Sequence, residues 1–354
     1  MIHSRISGTG TFIPSLKKTN ADFINEAFLN ADGSDFAADN ADIIEKFKAI
    51  TGIEERRYAT DDFNTSDLAY LASVKAIEDA EINPEELDYI IFAHNFGDVS
   101  KDSVQSDILP SLATRVKFKL GIENPNCVAY DILFGCPGWI QGVIQSQAFI
   151  KAGIAKKCLV IGAETLSRVV DKFDRDSMIY SDGAGACIVE ATNEQTSGIL
   201  SFADQTFAKE EAYYLFFGES YNKNSEGNTR YIKMLGRKIY EFALSKVPLA
   251  MKSALDKSGV AIDDVKKIFI HQANEKMDEA IIQRFYRLYK KRVPEGIMPM
   301  NIHEFGNSSV ATVPTLLDMV IKNQIPNQQI EKGDVFILAS VGAGMNINAI
   351  VYKY

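Results

Sequence analysis

Cysteine is scarce, with four residues in a chain of 354, and no two of them form a CxxC pair. None has a histidine nearby at ligand spacing. A disulfide framework and a zinc site are therefore set aside, and no metal or cofactor is called for. Basic residues are outnumbered: 38 Lys and Arg face 47 Asp and Glu, a net charge of −9. That balance disfavours nucleic acid and anionic membranes as partners. No apolar run reaches the roughly 18 residues of a transmembrane helix, so no membrane insertion is expected. The opening MIHSRISGTG lacks the layout of a signal peptide. No low-complexity linker occurs either. These features together read as a cytoplasmic protein of a reducing compartment. A hydrophobic content of 46% at this length suffices for two core-bearing halves.

The most informative stretch is VAYDILFGCPGWIQGVIQSQAFIKAGI, residues 128–154. Val128, Ala129, Ile132, Leu133 and Phe134 read as a buried strand. Gly135-Cys136-Pro137-Gly138 is a sharp turn, and a long apolar-periodic helix follows. Pro137 suits the first helical position. Cys136 thus sits where unpaired N–H groups and the positive dipole end of a helix favour a thiolate. The bland alternative is a buried cysteine at a turn.

Further elements follow from periodicity and turn residues. Residues 2–13 read as a strand. Gly8 and Gly10 hint at a dinucleotide fingerprint, but its third position is Ile13 and no helix opens there. Residues 20–29 and 40–50 read as helices capped by Asn20 and Asn40, and a helix is expected near 106–120. The segment AIEDAEINPEELDYIIFAH (76–94) is a helix, a turn and a strand ending in His94. ALDKSGVAIDDVKKIFIH (254–271) repeats that unit and ends in His271. The Cys136 turn-helix comes next in the first half, and a helix opened by Asn307 comes next in the second. Gly183-Ala184-Gly185 and Gly342-Ala343-Gly344 then precede strands. Three features recurring in one order imply an α/β fold of two duplicated βαβαβ-type halves, residues 1–192 and 193–354, with mostly parallel sheets. Loops at the carboxyl ends of parallel strands carry function. A pseudo-twofold brings Cys136 and Asn307 together, with His271 nearby.

The motifs GCPGW, SDGAGA, HQAN and FGNSS, in this order, resemble the 3-ketoacyl-acyl-carrier-protein synthase III family of the thiolase superfamily. GTGTFIP, TGIEERR and GAETL extend the likeness along the whole chain. The resemblance implies a five-layered thiolase-like fold and a homodimer. It implies catalytic roles for Cys136 as nucleophile, His271 and Asn307. The substrates it implies are acyl-coenzyme A or acyl-carrier-protein thioesters, with an acyl carrier protein as partner. Cysteine both attacks a thioester and leaves from one. Decarboxylation of a malonyl thioester then supplies a carbanion whose enolate oxygen needs two donors, a role that suits neutral His271 and Asn307. A second oxyanion site, for acyl transfer, is expected from the backbone N–H groups of Cys136 and Ala343. The family usually has three glycines in place of Gly342-Ala343-Gly344, so Ala343 keeps the N–H but adds a methyl.

Each residue has an alternative. His271 is otherwise a core histidine, and Asn307 otherwise a helix cap. His94 is the repeat-related alternative histidine, and His303 lies in no matching motif. Trp139 and Phe134 either line an acyl pocket or only pack. Cys127, Cys158 and Cys187 read as core. The family's coenzyme-A-gripping Trp and Arg are replaced by Lys46 and Ile50. Arg175 matches a nucleotide-contacting arginine. Arg237, Asn274 and Lys276 occupy further substrate- or carrier-binding positions, while Glu241 replaces a basic docking residue. Arg284, Arg287, Lys290, Lys291 and Arg292 form a basic cluster suited to an acidic carrier. The segment 96–113 is longer than is typical. These departures suggest a specialised relative. It would condense acyl groups decarboxylatively, or act as an acyltransferase or as a resorcinol or head-to-head condensing enzyme. A papain-like hydrolase shares the order Cys, His, Asn but lacks the duplicated units. A non-catalytic partner subunit would not need all three residues.

Overall fold

The computed structural model describes residues 3–194, 197–225 and 227–354. Ile2, counted in the expected opening strand, lies outside them. The first half contains β1 (His3–Phe12), β2 (Leu16–Thr19), α1 (Asn40–Thr51), β3 (Glu55–Tyr58) and α2 (Thr65–Asp79). It continues with β4 (Tyr89–Ala93), α3 (Leu112–Lys119), β5 (Val128–Ile132), α4 (Gly138–Lys151), β6 (Lys157–Thr165) and β7 (Asp182–Thr192). The second half contains β8 (Gly198–Thr206), β9 (Leu215–Glu219), β10 (Arg230–Met234), α5 (Gly236–Ser258), β11 (Val265–Ile270) and α6 (Glu275–Leu288). It closes with α7 (Ile302–Phe305), α8 (Thr312–Ile321), β12 (Val335–Gly342) and β13 (Asn346–Lys353).

Two sheets carry the duplication. One runs β1-β7-β6-β4-β5 and the other β11-β12-β13-β8. The strand CLVIGA in β6 is apolar throughout because helices cover both its faces. Leu159 and Ile161 face the outer layer with Leu68, Ala72 and Ala76 of α2 and Val116 of α3. Cys158 and Val160 face inward onto Trp139 and Val143 of α4. In β12, Ile337 and Ala339 meet Val247 and Met251 of α5 and Phe285 of α6. Phe336 and Leu338 meet the central layer with Leu316 and Leu317 of α8. The layers are therefore helices, sheet, the α4/α8 pair, sheet and helices, five in all.

Several expectations change. The sheets are mixed, not mostly parallel. β4 pairs in parallel with β5 and β6, and β11 with β12. The other pairings in the two sheets are antiparallel. A three-residue turn, Ala343–Met345, joins β12 to β13, and only an antiparallel pair admits so short a link. β5 is an edge strand and not a buried one; Val128 is 46% and Leu133 68% exposed. Asp39 caps α1 in place of Asn40, accepting from Asp42 N at 2.9 Å. Only a 3-10 turn, Asn20–Phe23, forms within 20–29, capped by Thr19. The helix expected near 106–120 begins at Leu112. Gly8 and Gly10 serve packing: a Cβ on either would lie 2.4 Å from backbone of α2 or its end. Cys127, Cys158 and Cys187 are buried.

Candidate active site

Cys136 follows β5 through a turn that Gly135 makes at φ +68°, a conformation glycine adopts without a steric penalty. Pro137 lies one position earlier than expected, capping α4 instead of starting it. The turn abuts the loop after β12 with no space between. A Cβ on Gly135 would lie 2.6 Å from Ala343 N, and one on Gly342 would lie 2.4 Å from Cys136 N. The backbone N–H groups of Cys136 and Ala343 are thereby held close together. Asn346 ties the two loops, donating from Nδ2 to Phe134 O at 3.2 Å and to Ala343 O at 2.9 Å. A Gly342→Ala variant is expected to push the loops apart. Its activity should fall about 10²-fold, and its stability by roughly 1–3 kcal/mol in denaturant unfolding.

His271 directly follows β11, and its N–H donates to Ala339 O of β12 at 2.9 Å. It is buried, and burial pushes its pKa down to about 3, so the ring is neutral near pH 7. Nδ1 lies 2.7 Å from Thr312 Oγ1, whose hydroxyl donates to Ser309 O at 3.0 Å. Thr312 has a single hydroxyl hydrogen. Given to Ser309 O, it makes Thr312 the acceptor of an Nδ1–H; turned to Nδ1, it leaves the ring proton on Nε2, the tautomer that donation to a substrate oxygen requires.

Asn307 is clamped by the segment before β7. Its N–H donates to Ile179 O, and Ser181 N–H donates to its carbonyl, both at 2.9 Å. Its side-chain Oδ1 accepts from Ser309 N at 2.7 Å. This is an Asx turn and not the expected helix cap: the 3-10 turn Ser309–Ala311 is preceded by Ser308, and α8 begins only at Thr312. The turn occupies Oδ1 and leaves the Nδ2 hydrogens without a partner among the described residues.

Cys136, His271 and Asn307 line one cavity of about 1090 Å³. Ser309 also lines it, and its Oγ–H donates to Cys136 Sγ at 3.3 Å. The helix terminus does not by itself produce the expected low thiol pKa. Burial pushes Cys136 up to about 11, with Ser309 pulling the other way. Much of the wall is apolar, including Ile43, Phe47, Phe96, Phe217 and Ile232. Lys46, Ile50, Arg175, Arg237 and Asn274 border the same cavity. Arg237 is exposed and paired with Glu241 at 2.9 Å; Asn274 caps α6, accepting from Met277 N.

Three expected site residues fall elsewhere, and so do the two other histidines considered. Trp139 is 1% exposed in the central core, because its side of α4 faces the sheets. Phe134 is half-buried and absent from the cavity wall; it contributes its carbonyl to Asn346. Lys276 is exposed on the first turn of α6, outside the cavity. His94 is structural: Nε2 lies 3.0 Å from Asp131 Oδ2, and Nδ1 accepts from Gly97 N at 3.0 Å. His303 is exposed. Ser309, Thr312 and Asn346 were not anticipated. The hydroxyls in FGNSSVAT were the available signal for two of them, and nothing local pointed to Asn346. Among the described residues, no helix is long and apolar enough to cross a membrane.

Comparison with known proteins places the chain in a family. Residues 130–206 match the family 3-oxoacyl-[acyl-carrier-protein] synthase III, and residues 255–354 match its C-terminal counterpart. A beta-ketoacyl-[acyl-carrier-protein] synthase III of Halalkalibacterium halodurans is 33% identical, covering 100% of this chain and 99% of its own. The crystal structure of the Aquifex aeolicus 3-oxoacyl-[acyl-carrier-protein] synthase III superposes with a TM-score of 0.80 at 29% identity. That match covers 99% of this chain and 100% of the other. OleA of Xanthomonas campestris, solved with lauric acid and lauroyl-CoA, shares the fold at a TM-score of 0.78 and 18% identity, over 99% of each chain. Matched along its full length in sequence and in fold, the chain belongs to the 3-oxoacyl-[acyl-carrier-protein] synthase III family of condensing acyltransferases, within the thiolase superfamily.

Proposed function

We propose that the reaction is a decarboxylative Claisen condensation, with Cys136 as nucleophile and His271 and Asn307 as the donors to the enolate. The observation that carries this reading is a neutral imidazole and a free Asn307 amide sharing one cavity with the thiol. In the first half-reaction the sulfur attacks an acyl thioester, and the carbonyl oxygen is held by the N–H groups of Cys136 and Ala343. The carrier leaves as a thiol. A malonyl thioester then loses carbon dioxide. Its electron pair passes onto the thioester oxygen, between His271 Nε2–H and Asn307 Nδ2–H. The carbanion attacks the acyl carbon and releases Cys136.

The apolar wall supports a fatty acyl donor. Lys46 and Ile50, standing where coenzyme-A-binding relatives have Trp and Arg, favour an acyl carrier protein as the handle. Arg175, Arg237 and Asn274 at the cavity, with Lys276 and the basic residues of α6 and its C-terminal end outside it, are the proposed carrier contacts. The exposed edge of β5, flanked by Leu133, Ile108 and Leu109, supports a homodimer. Residues 1–192 and 193–354 are read as the two halves, and the cytoplasm as the location.

Intact-mass analysis after incubation with acyl donors on coenzyme A and on carrier protein tests the reading. A mass gain on Cys136, followed by carbon dioxide release and a chain-extended product with a malonyl thioester, is expected. Acylation with no carbon–carbon bond formed would instead indicate simple acyl transfer. Condensation with an acyl or 3-ketoacyl thioester in place of malonyl would indicate a head-to-head or resorcinol reaction.

A further inference from the structure

Ser309 has a backbone that few serines adopt. Its φ is +52°, in the left-handed region that costs an L-residue strain. The residue is buried, and its Oγ lies 3.3 Å from Cys136 Sγ. On its other side Oγ is 3.1 Å from Asn95 Nδ2. The same Nδ2 donates to Oε1 of Glu164, a carboxyl 1% exposed whose Oε2 has no hydrogen-bond partner among the described residues. Four side chains from β6, the loop after β4, the turn before α8 and the turn before α4 thus form one line.

The direction of that line is set at its far end. Nδ2 of Asn95 carries two hydrogens. One goes to Glu164 and the other to Ser309, whose oxygen is then an acceptor toward Asn95. The hydroxyl hydrogen is left for the sulfur. Were the amide turned over, its oxygen would draw that hydrogen away from Cys136. Glu164 holds the amide in the productive sense whether ionised or protonated on the unpartnered Oε2. Burial pushes Glu164 up to about 8, so the protonated form predominates near pH 7 and leaves little negative charge beside the thiol.

We propose that Ser309 is a catalytic hydrogen-bond donor to the Cys136 sulfur, and that Asn95, held by Glu164, is the positioning residue that aims it. This rests on the reading of Cys136 as nucleophile. A donor at 3.3 Å stabilises the thiolate as attacking group and again as leaving group when the product departs.

The test is the rate of Cys136 alkylation by iodoacetamide from pH 7 to 9.5, read by intact mass against a Cys136→Ala control. The other three cysteines are buried. Ser309→Ala is expected to slow alkylation about tenfold at each pH below the thiol pKa, where the thiolate fraction sets the rate. Ser309→Gly, suited to the positive φ, should do the same and serves if the alanine variant folds poorly. Asn95→Ala is expected to slow it by about threefold to fivefold alone, and by nothing further in the Ser309→Ala background. Ser309 variants within twofold of the parent, or additive losses in the double variant, would overturn the proposal. A parent protein that takes up no acyl group from any donor would sink the nucleophile reading instead, while the alkylation rates still report the Ser309 contact.

Discussion

A Cys136→Ala protein will carry no acyl group after incubation with a thioester donor, and its condensation rate will fall by roughly 10⁴-fold or more. The size of the effect follows from the chemistry. No other described sulfur is available to take the acyl group, since Cys127, Cys158 and Cys187 are buried in the cores. The fold should survive the change. Cys136 is only partly buried, and among the described residues its side chain has a single hydrogen bond, from Ser309. Matched thermal unfolding of variant and parent, alongside intact-mass acylation, is the measurement. A variant that still forms chain-extended product at a tenth of the parent rate would remove Cys136 from the mechanism.

Asn307→Asp is expected to separate the two half-reactions. The aspartate Oδ1 can still accept from Ser309 N–H, and Asp makes an Asx turn as Asn does. If Asn307 served only to make this turn, the substitution would be silent. If its free Nδ2 is the donor to the enolate, the variant loses that donor and sets a negative oxygen in its place. Acylation of Cys136 should then persist while condensation falls by roughly 10²–10³-fold, the scale of one oxyanion donor. His271→Ala is expected to give the same split. Single-turnover acylation by mass and carbon dioxide release from a labelled malonyl thioester read the two halves separately. Equal losses in both would contradict the assignment of these residues to the second half-reaction.

His271 also has a stability signature. Its folded pKa of about 3 lies below the reference value of 6.5, so between those pH values the unfolded chain binds a proton that the folded one refuses. Its contribution to stability is therefore full above about pH 6.5 and is lost as pH falls, by up to about 1.4 kcal/mol per pH unit. Denaturant midpoints of parent and His271→Ala across pH 4–8 should show the parent losing more stability toward acid.

Much of the site could be read along the chain because its anchors are local. A cysteine in Gly135-Cys136-Pro137-Gly138, between an apolar run and an amphipathic helix, announces a strand-to-helix turn by composition alone. His271 and Asn307 emerge from the order of a repeated unit. Trp139 shows where such reading stops. Its spacing on α4 fits a core face and a pocket face equally well, and only the sandwiching of α4 between two sheets makes it core. β5 reads as buried by its apolar content, yet the strand order leaves it at an edge.

The sequence by itself determined the duplicated α/β architecture, the turn that presents Cys136 and the identity of its two polar companions. These depend on backbone preferences and periodicities within a few dozen residues. Tertiary structure decided which groups reach the sulfur and how strongly the thiol and imidazole hold their protons. Ser309 meets Cys136 from 173 positions away, and Asn95 meets Ser309 from 214. Desolvation raises Cys136 and lowers His271. It arises from the packing of both halves around one cavity, a quantity that no local window of the chain contains.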